Sequence, residues 1–442
     1  MTGMSETDVF QRQALSLRPD PARVIVRPFR PTTEPRDLQP TDKRRANHIV
    51  DRVLSLDPEA AALELRDVLD NFETRHRDLT ATLDSRAAEM ESAFTDHPSF
   101  TSLQRQLVGA YFLQEYSYEA SALFNPSIVA HPDQSSVSPG NLRVILSLRA
   151  VGEGHVSSIT FRSGQIGPDG QVRLDPSAKL AGLPQVTRRT DGLDGEEVRL
   201  TFDSNWDISE RVIFPITLRQ VNGVEDARFV ALEDGGQTTY YATYTAYDGR
   251  SIRSELLDTP DFVTFRMRPM SGMGAINKGM ALFPRRIGGR FVMIGRQDNE
   301  NLYLIYSDDL TVWDNGTPFL SPCFPWEFVQ IGNCGSPIEL PQGWLVFTHG
   351  VGPLRKYAIG AVLLDLNDPT QVIARSRTPL IRPDPSEREG YVPNVVYTCG
   401  AIRHLDRIIL PFAVSDTFTN FASASIDQLL ASLEPVRMTP VS

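Results

Sequence analysis

The stretch Arg290–Leu310, RFVMIGRQDNENLYLIYSDDL, decides how the chain is read. It holds two apolar runs, FVMIG and LYLIYS, each too short for a helix and parted by Asp, Asn and Glu, so it reads as two strands with a polar connection. A tight turn, RIGGR, leads into the first run, and an acidic turn, SDDLTVW, follows the second. The same grammar recurs downstream, where LPQGW and RHLDR serve as the tight turn and LNDPTQV as the acidic one. Further runs of this kind are RVILSLRAV, HVSSITFRSG, ARFVALED, TYYATYTAYDG, WLVFTHGV, YAIGAVLLDL and RIILPFAVSD.

A unit repeating every few tens of residues is the mark of propeller blades. The span from Asn125 to the end suits about five blades of four strands, with a β-sandwich as the alternative. Before residue 119 the texture differs. Residues 1–40 are rich in Arg and Pro and predict an extended arm. Residues 41–118 are rich in Ala, Leu, Glu and Arg at helical spacing and predict a helical extension, with Pro58 in a first turn capped by Asp57. The expected fold is therefore an all-β five-bladed propeller over 119–442 with an N-terminal α-helical extension.

Composition narrows the function. A formal net charge of -11 sets the chain against a nucleic-acid backbone, so no nucleic-acid partner is expected. No apolar run is long enough to cross a bilayer, and MTGMSETDVFQRQALSLRPDPARV is neither a secretory nor a transit signal. The three cysteines, Cys323, Cys334 and Cys399, form no pairing motif and predict buried free thiols in a reducing cytoplasm. P-loop, GxSxG and HExxH motifs are absent, so no cofactor and no metal site is expected.

Charge interrupting apolar strands marks five places. In GVEDARFV, Asp226 lies beside Glu225, whose like charge should raise its pKa, and near Arg228, which should lower it; such opposition can prepare a general acid. Alone, the motif reads first as a turn with a structural Asp–Arg pair. Asn277 and Lys278 precede one apolar strand and Arg296 ends the next, either as an anion pocket or as ordinary surface charge. His349, Arg355, Lys356 and Tyr357 flank a glycine-containing loop, and Asp416 ends another strand, where it reads as a sugar contact or an Asx turn.

These motifs, in order, resemble glycoside hydrolase family 130, the β-mannoside phosphorylases and β-mannosidases. The matching text includes FNPSIV, LSLRAVGEGHVSSITFRSG, GVEDARFV, TYTAYDG, NKGMALFPRRIGGRFVMIGRQDNEN, EREGYVPNVVYTCG and VSDTFTNFASAS, and covers most of residues 120–435. The resemblance implies a five-bladed propeller with a sugar pocket on its axis and Asp226 as general acid, acting through a sugar hydroxyl while phosphate inverts the anomeric carbon. It implies substrate contacts at Asn125, Arg149, Glu225, Arg228, Tyr247 and Asp416, and phosphate contacts at Asn277, Lys278, Arg296, His349, Arg355, Lys356 and Tyr357. Asn277–Lys278 stands where many phosphorylases have an Arg-Asn pair, a departure. The expected function is an inverting glycoside phosphorylase on β-linked mannosides, with inorganic phosphate as co-substrate and α-mannose 1-phosphate as product. The alternatives are an inverting β-mannosidase, which needs a second carboxylate roughly 6.5–9.5 Å from the acid, and a non-catalytic glycan-binding propeller. Amphipathic helices need an apolar partner, so a homo-oligomer through the N-terminal helices is also expected.

Overall fold

The computed structural model describes residues 9–29, 39–93, 100–189 and 197–436. The chain divides into two compact units, one of residues 21–118 with 178–182, the other comprising most of the remainder.

The larger unit is built from sheets that follow one another along the chain. Ala122–Ala130, Leu142–Val151 and Ser157–Ile166 form the first group, with Val172–Leu174 and Val212–Ile213 on its outer side. A single parallel pair, Gly223 with Ser157, connects it to the second group, Gly223–Asp234, Gln237–Tyr247, Ile252–Thr259 and Thr264–Pro269, which continues into Glu197–Thr201 and Gln185–Arg189. The third group is Ala281–Leu282, Phe291–Gly295, Leu302–Ser307 and Thr317–Leu320, so the decisive stretch is a hairpin's pair of strands as expected. Its entry turn, Gly288–Gly289, has both φ angles positive (59° and 82°), the two-residue geometry that matches strand twist and that side chains disfavour. The fourth group runs Gln330–Asn333, Gly343–Val351, Tyr357–Leu364 and Val372–Arg375, and the fifth Val396–Tyr397, Arg407–Val414 and Phe418–Ser425.

These strands are buried on both faces because each sheet is packed between neighbours. Val292 and Ile294 of the third group pack with Trp344 and Val346 of the fourth. Phe347 of the fourth packs with Leu410 and Phe412 of the fifth. Ala413 of the fifth packs with Phe124 and Val151 of the first, so the succession of cores returns to its start.

The expected arm over residues 1–40 requires correction. Gln11–Leu17 is a strand of the fifth group, paired antiparallel with Phe418–Ser425. Val24–Pro28 pairs instead with Leu113–Ser117 in the smaller unit. Proline density signalled extended backbone, but backbone groups in extended segments still need partners, and sheet edges supply them. Residues 1–8 and 30–38 of the expected arm lie outside the described residues.

Among its described residues the smaller unit carries the α-helices Gln39–Leu54, Pro58–Phe72, Leu79–Ala93 and Ser102–Tyr111. Asp57 caps the second, accepting from the backbone N–H of Glu59 and Ala60 at 3.0 and 2.8 Å, with Pro58 in the first turn. Val50, Val53, Leu65, Leu83, Leu107 and Phe112 form its core. Among the described residues, no helix is long and apolar enough to cross a membrane.

Candidate active site

A pocket of about 300 Å³ is lined by residues from all five strand groups. Its acidic corner depends on two irregularities in otherwise regular strands. The pairing of Ala122–Ala130 slips between Phe124 and Ser127, and that of Gly223–Asp234 slips between Glu225 and Arg228. Inside these bulges Asn125 and Asp226 adopt positive φ angles of 48° and 54°. A bulge re-aims a side chain, and Asn and Asp tolerate the left-handed region better than other side chains. Asn125 donates to Asp226 Oδ1 at 2.6 Å. Arg149, on the strand between them, donates to the same oxygen at 3.2 Å and to Glu225 Oε1 at 2.6 Å, while its Nε donates to Ser157 Oγ at 2.8 Å. Asp416, also at positive φ (49°), follows Arg407–Val414 and completes this side of the pocket.

The carboxyls here have divergent affinities for protons. Burial would raise the Asp226 pKa, but Arg149, Lys278, the Asn125 hydrogen bond and Arg228 together hold it below the ordinary value. Of the opposition expected from the motif, the lowering by Arg228 is present, but Arg149 outweighs it. Arg149 supplies the guanidinium beside Asp226, because Arg228 turns to the Tyr397 hydroxyl and the Met280 carbonyl. Glu225 is raised by burial and by Asp226, against the pull of Arg149 and Lys278. Burial, opposed by Arg149 but helped by Asp226, pushes Asp416 up to about 6.

The pocket also has a cationic lining. Lys278, Arg228, Arg296 and Arg355 all line it, and among the described residues Lys278, Arg228 and Arg355 make no ion pair. His349 is fully enclosed, stacks parallel on Tyr357 with ring centroids 5.8 Å apart, and meets the edge of Tyr397 at 4.9 Å. Burial first, then Arg296 and Arg228, holds its pKa well below the ordinary histidine value, so it is a neutral ring at pH 7. Gly332 makes this placement possible, since a Cβ there would lie 2.2 Å from His349 Cε1.

The structure therefore brings Asn125, Arg149, Asp226, Arg228, Lys278, Arg296, His349, Arg355, Tyr357 and Asp416 to one pocket. It leaves four expected contacts outside the lining. Glu225 is behind Arg149, and Asn277 is turned to the Arg296 carbonyl and to Asn299 Oδ1 at 3.0 and 2.6 Å. Tyr247 lies at a strand end opposite Gly223, and Lys356 is exposed to solvent. Thr245, Gly279, Asn299, Gln330, Val392, Val395 and Tyr397 line the pocket without having been singled out. Tyr397 sits within EREGYVPNVVYTCG, but a phenol inside an apolar run carries no charge to flag it. Cys334 and Cys399 are buried free thiols pushed up by burial, Cys334 to about 12, and so are inert; Cys323 is exposed, contrary to expectation. Among the described residues, no group of three or more His, Cys, Asp or Glu side chains is placed to hold a metal ion.

Comparison with known proteins adds a second line of observation. The sequence profile of glycoside hydrolase family 130, described as beta-1,4-mannooligosaccharide phosphorylase, matches residues 191–434. A 1,2-beta-oligomannan phosphorylase from Thermoanaerobacter sp. is 35% identical over 211 residues, spanning 47% of this chain and 69% of the relative. A beta-1,2-mannobiose phosphorylase from Listeria innocua is 30% identical over 230 residues, spanning 50% of this chain and 63% of its own length. The solved structure of a Listeria innocua beta-1,2-mannobiose phosphorylase with beta-1,2-mannobiose aligns with a TM-score of 0.51 at 20% identity. That alignment covers 71% of this chain and 92% of the other, and shows a shared fold.

Proposed function

This chain belongs to glycoside hydrolase family 130, and on that premise we propose that it is an inverting phosphorylase of β-linked mannosides, acting on β-1,2-manno-oligosaccharides. One observation carries the choice of phosphate over water. The pocket that holds Asp226 also holds five cationic side chains, Arg149, Arg228, Lys278, Arg296 and Arg355, against two carboxylates, Asp226 and Asp416. Arg149 is tied to Glu225 and Asp226, whereas Lys278 and Arg355 make no ion pair among the described residues and can meet an anion.

In this reading the five strand groups are the five blades of a propeller, and the pocket lies where their ends converge. Phosphate occupies the wall of Lys278, Arg296 and His349, and the sugar to be transferred lies among Asn125, Arg149, Asp226 and Asp416. The bound anion offsets the cations that hold Asp226 ionised and adds its own repulsion, so the Asp226 pKa rises as the complex forms. Asp226 then gives its proton to a mannosyl hydroxyl, which passes its own proton to the glycosidic oxygen. A phosphate oxygen forms the new bond to the anomeric carbon from the opposite face as the glycosidic bond breaks. The aglycone leaves as an alcohol, and the proton carried in by phosphate restores Asp226. No cofactor enters the scheme.

The test is incubation of β-1,2-manno-oligosaccharides with and without phosphate, followed by ³¹P NMR. Phosphate-dependent α-mannose 1-phosphate is expected. Equal release of free mannose in both, with no sugar phosphate, would establish the β-mannosidase instead. We also propose a cytoplasmic setting, which fits the exposed free thiol of Cys323, and self-association through the helical unit, where Leu63 is 67% exposed. A monomer mass for the full chain in light scattering would overturn the latter.

A further inference from the structure

Two turns in the larger unit have the same backbone and different chemistry. Gly152–Val156 and Gly352–Lys356 each follow a strand whose pocket residue lies two positions before its end, Arg149 in the first and His349 in the second. Gly152 and Gly352 have φ/ψ of -110°/-158° and -108°/-162°, and Gly154 and Leu354 follow at 69°/16° and 55°/30°. His155 and Arg355 then both take positive φ, 59° and 56°. Each turn closes through the glycine N–H, to Val156 O at 3.3 Å and to Lys356 O at 3.0 Å. Arg355 lines the pocket. His155 occupies the equivalent position in its own turn and is exposed, and the left-handed backbone of a non-glycine residue there is a cost the fold sustains.

His155 does not stand alone. Its Nδ1 lies 2.8 Å from the Tyr391 hydroxyl, and the two rings are 5.6 Å apart. Tyr391 is 48% exposed, its N–H donates to Thr417 Oγ1 beside Asp416, and Val392 next to it lines the pocket. An exposed aromatic fixed at a pocket mouth presents a flat apolar face with a polar edge, the surface that the C–H face of a pyranose meets. The pocket, at about 300 Å³, is at the small end for a ligand site, so an oligosaccharide's outer rings must lie on its rim.

We propose that Tyr391, held by His155, is a stacking platform for the mannose ring beyond the scissile bond and sets the preference for longer chains. This rests on the phosphorylase reading. The experiment is calorimetric binding of β-1,2-mannobiose and β-1,2-mannotriose without phosphate, to wild type, Tyr391→Ala, Tyr391→Phe and His155→Ala, together with the KM for phosphate. Tyr391→Ala should bind mannotriose about tenfold more weakly, with a smaller loss for mannobiose. Tyr391→Phe should keep most of the affinity, His155→Ala should fall between, and the KM for phosphate should not move. If wild type binds mannotriose and Tyr391→Ala binds it equally well, or if phosphate KM shifts in parallel, the platform is wrong. If wild type binds neither sugar, the function proposed above falls, and the platform with it.

Discussion

The two sides of the pocket are made by different means. On the acidic side, bulges at Asn125 and Asp226 turn polar side chains out of regular strands and lock them with short hydrogen bonds to one carboxylate oxygen. On the basic side, Arg228 resumes regular pairing just past the bulge and Arg296 directly follows the strand Phe291–Gly295, while the His349–Tyr357 stack beside them is neutral. The difference separates two tasks. One side fixes the orientation of a carboxylate, and the other concentrates positive charge, with Arg228 held by the Tyr397 hydroxyl and the Met280 carbonyl.

That contrast can be broken most sharply at Asp226. Asp226→Asn should lower turnover by about 10²–10⁴-fold while leaving phosphate affinity in place, as measured by steady-state kinetics. Parallel loss of phosphate binding would mean the two sides are not separate. Arg296→Ala should do the reverse, raising the KM for phosphate by roughly 10- to 150-fold, the equivalent of a charged hydrogen bond worth about 1.5–3 kcal/mol.

A subtler effect concerns Asp416. Its pKa is pushed up to about 6, above the ordinary aspartate value near 3.9, so the fold favours the protonated carboxyl. That contribution is complete below about pH 4 and is lost as pH rises through about 6. Asp416→Asn should therefore gain in melting temperature relative to wild type between about pH 4.5 and pH 7.5, and a constant difference would count against it. Lys356→Ala should change the KM for phosphate by less than about twofold, because its side chain is exposed and outside the pocket lining. A larger change would extend the basic wall to the loop surface.

Much of this could be read from residue order. Strand texture around Arg290–Leu310 and the Asp57–Pro58 helix start depend on local chemistry, and both are found where expected. Eight of the ten expected residues that line the pocket were within reach because polar groups that interrupt apolar strands are visible in sequence, while Asn125 and Arg149 came only with the family resemblance. The rest depends on what lies across space. Asp226 is held down first by Arg149, 77 positions away, then by Lys278 and Asn125, with Arg228 a smaller contributor, so its proton affinity could not be inferred from its own motif. Glu225 and Asn277 were read as contacts because they are polar at strand ends, whereas their side chains are committed to Arg149 and to the Arg296–Asn299 turn. The pairing of Gln11–Leu17 was hidden for the same reason, since an edge strand carries no label for its partner.

That pairing has a consequence for how the protein is made. Residue 11 meets residue 423, so the fifth group cannot be completed until the 412 residues that follow Gln11, through Ser423, have been synthesised. At about 5–20 residues per second, Gln11–Leu17 waits roughly 20–80 s for its partner. The helices between residues 39 and 111 close over contacts within their own unit and are free to fold during that wait. The first strand therefore emerges early and docks last, an open edge that a nascent chain must keep from pairing elsewhere. A deletion that includes Gln11–Leu17 therefore does not trim an appendage; it takes a strand out of the sheet unit itself.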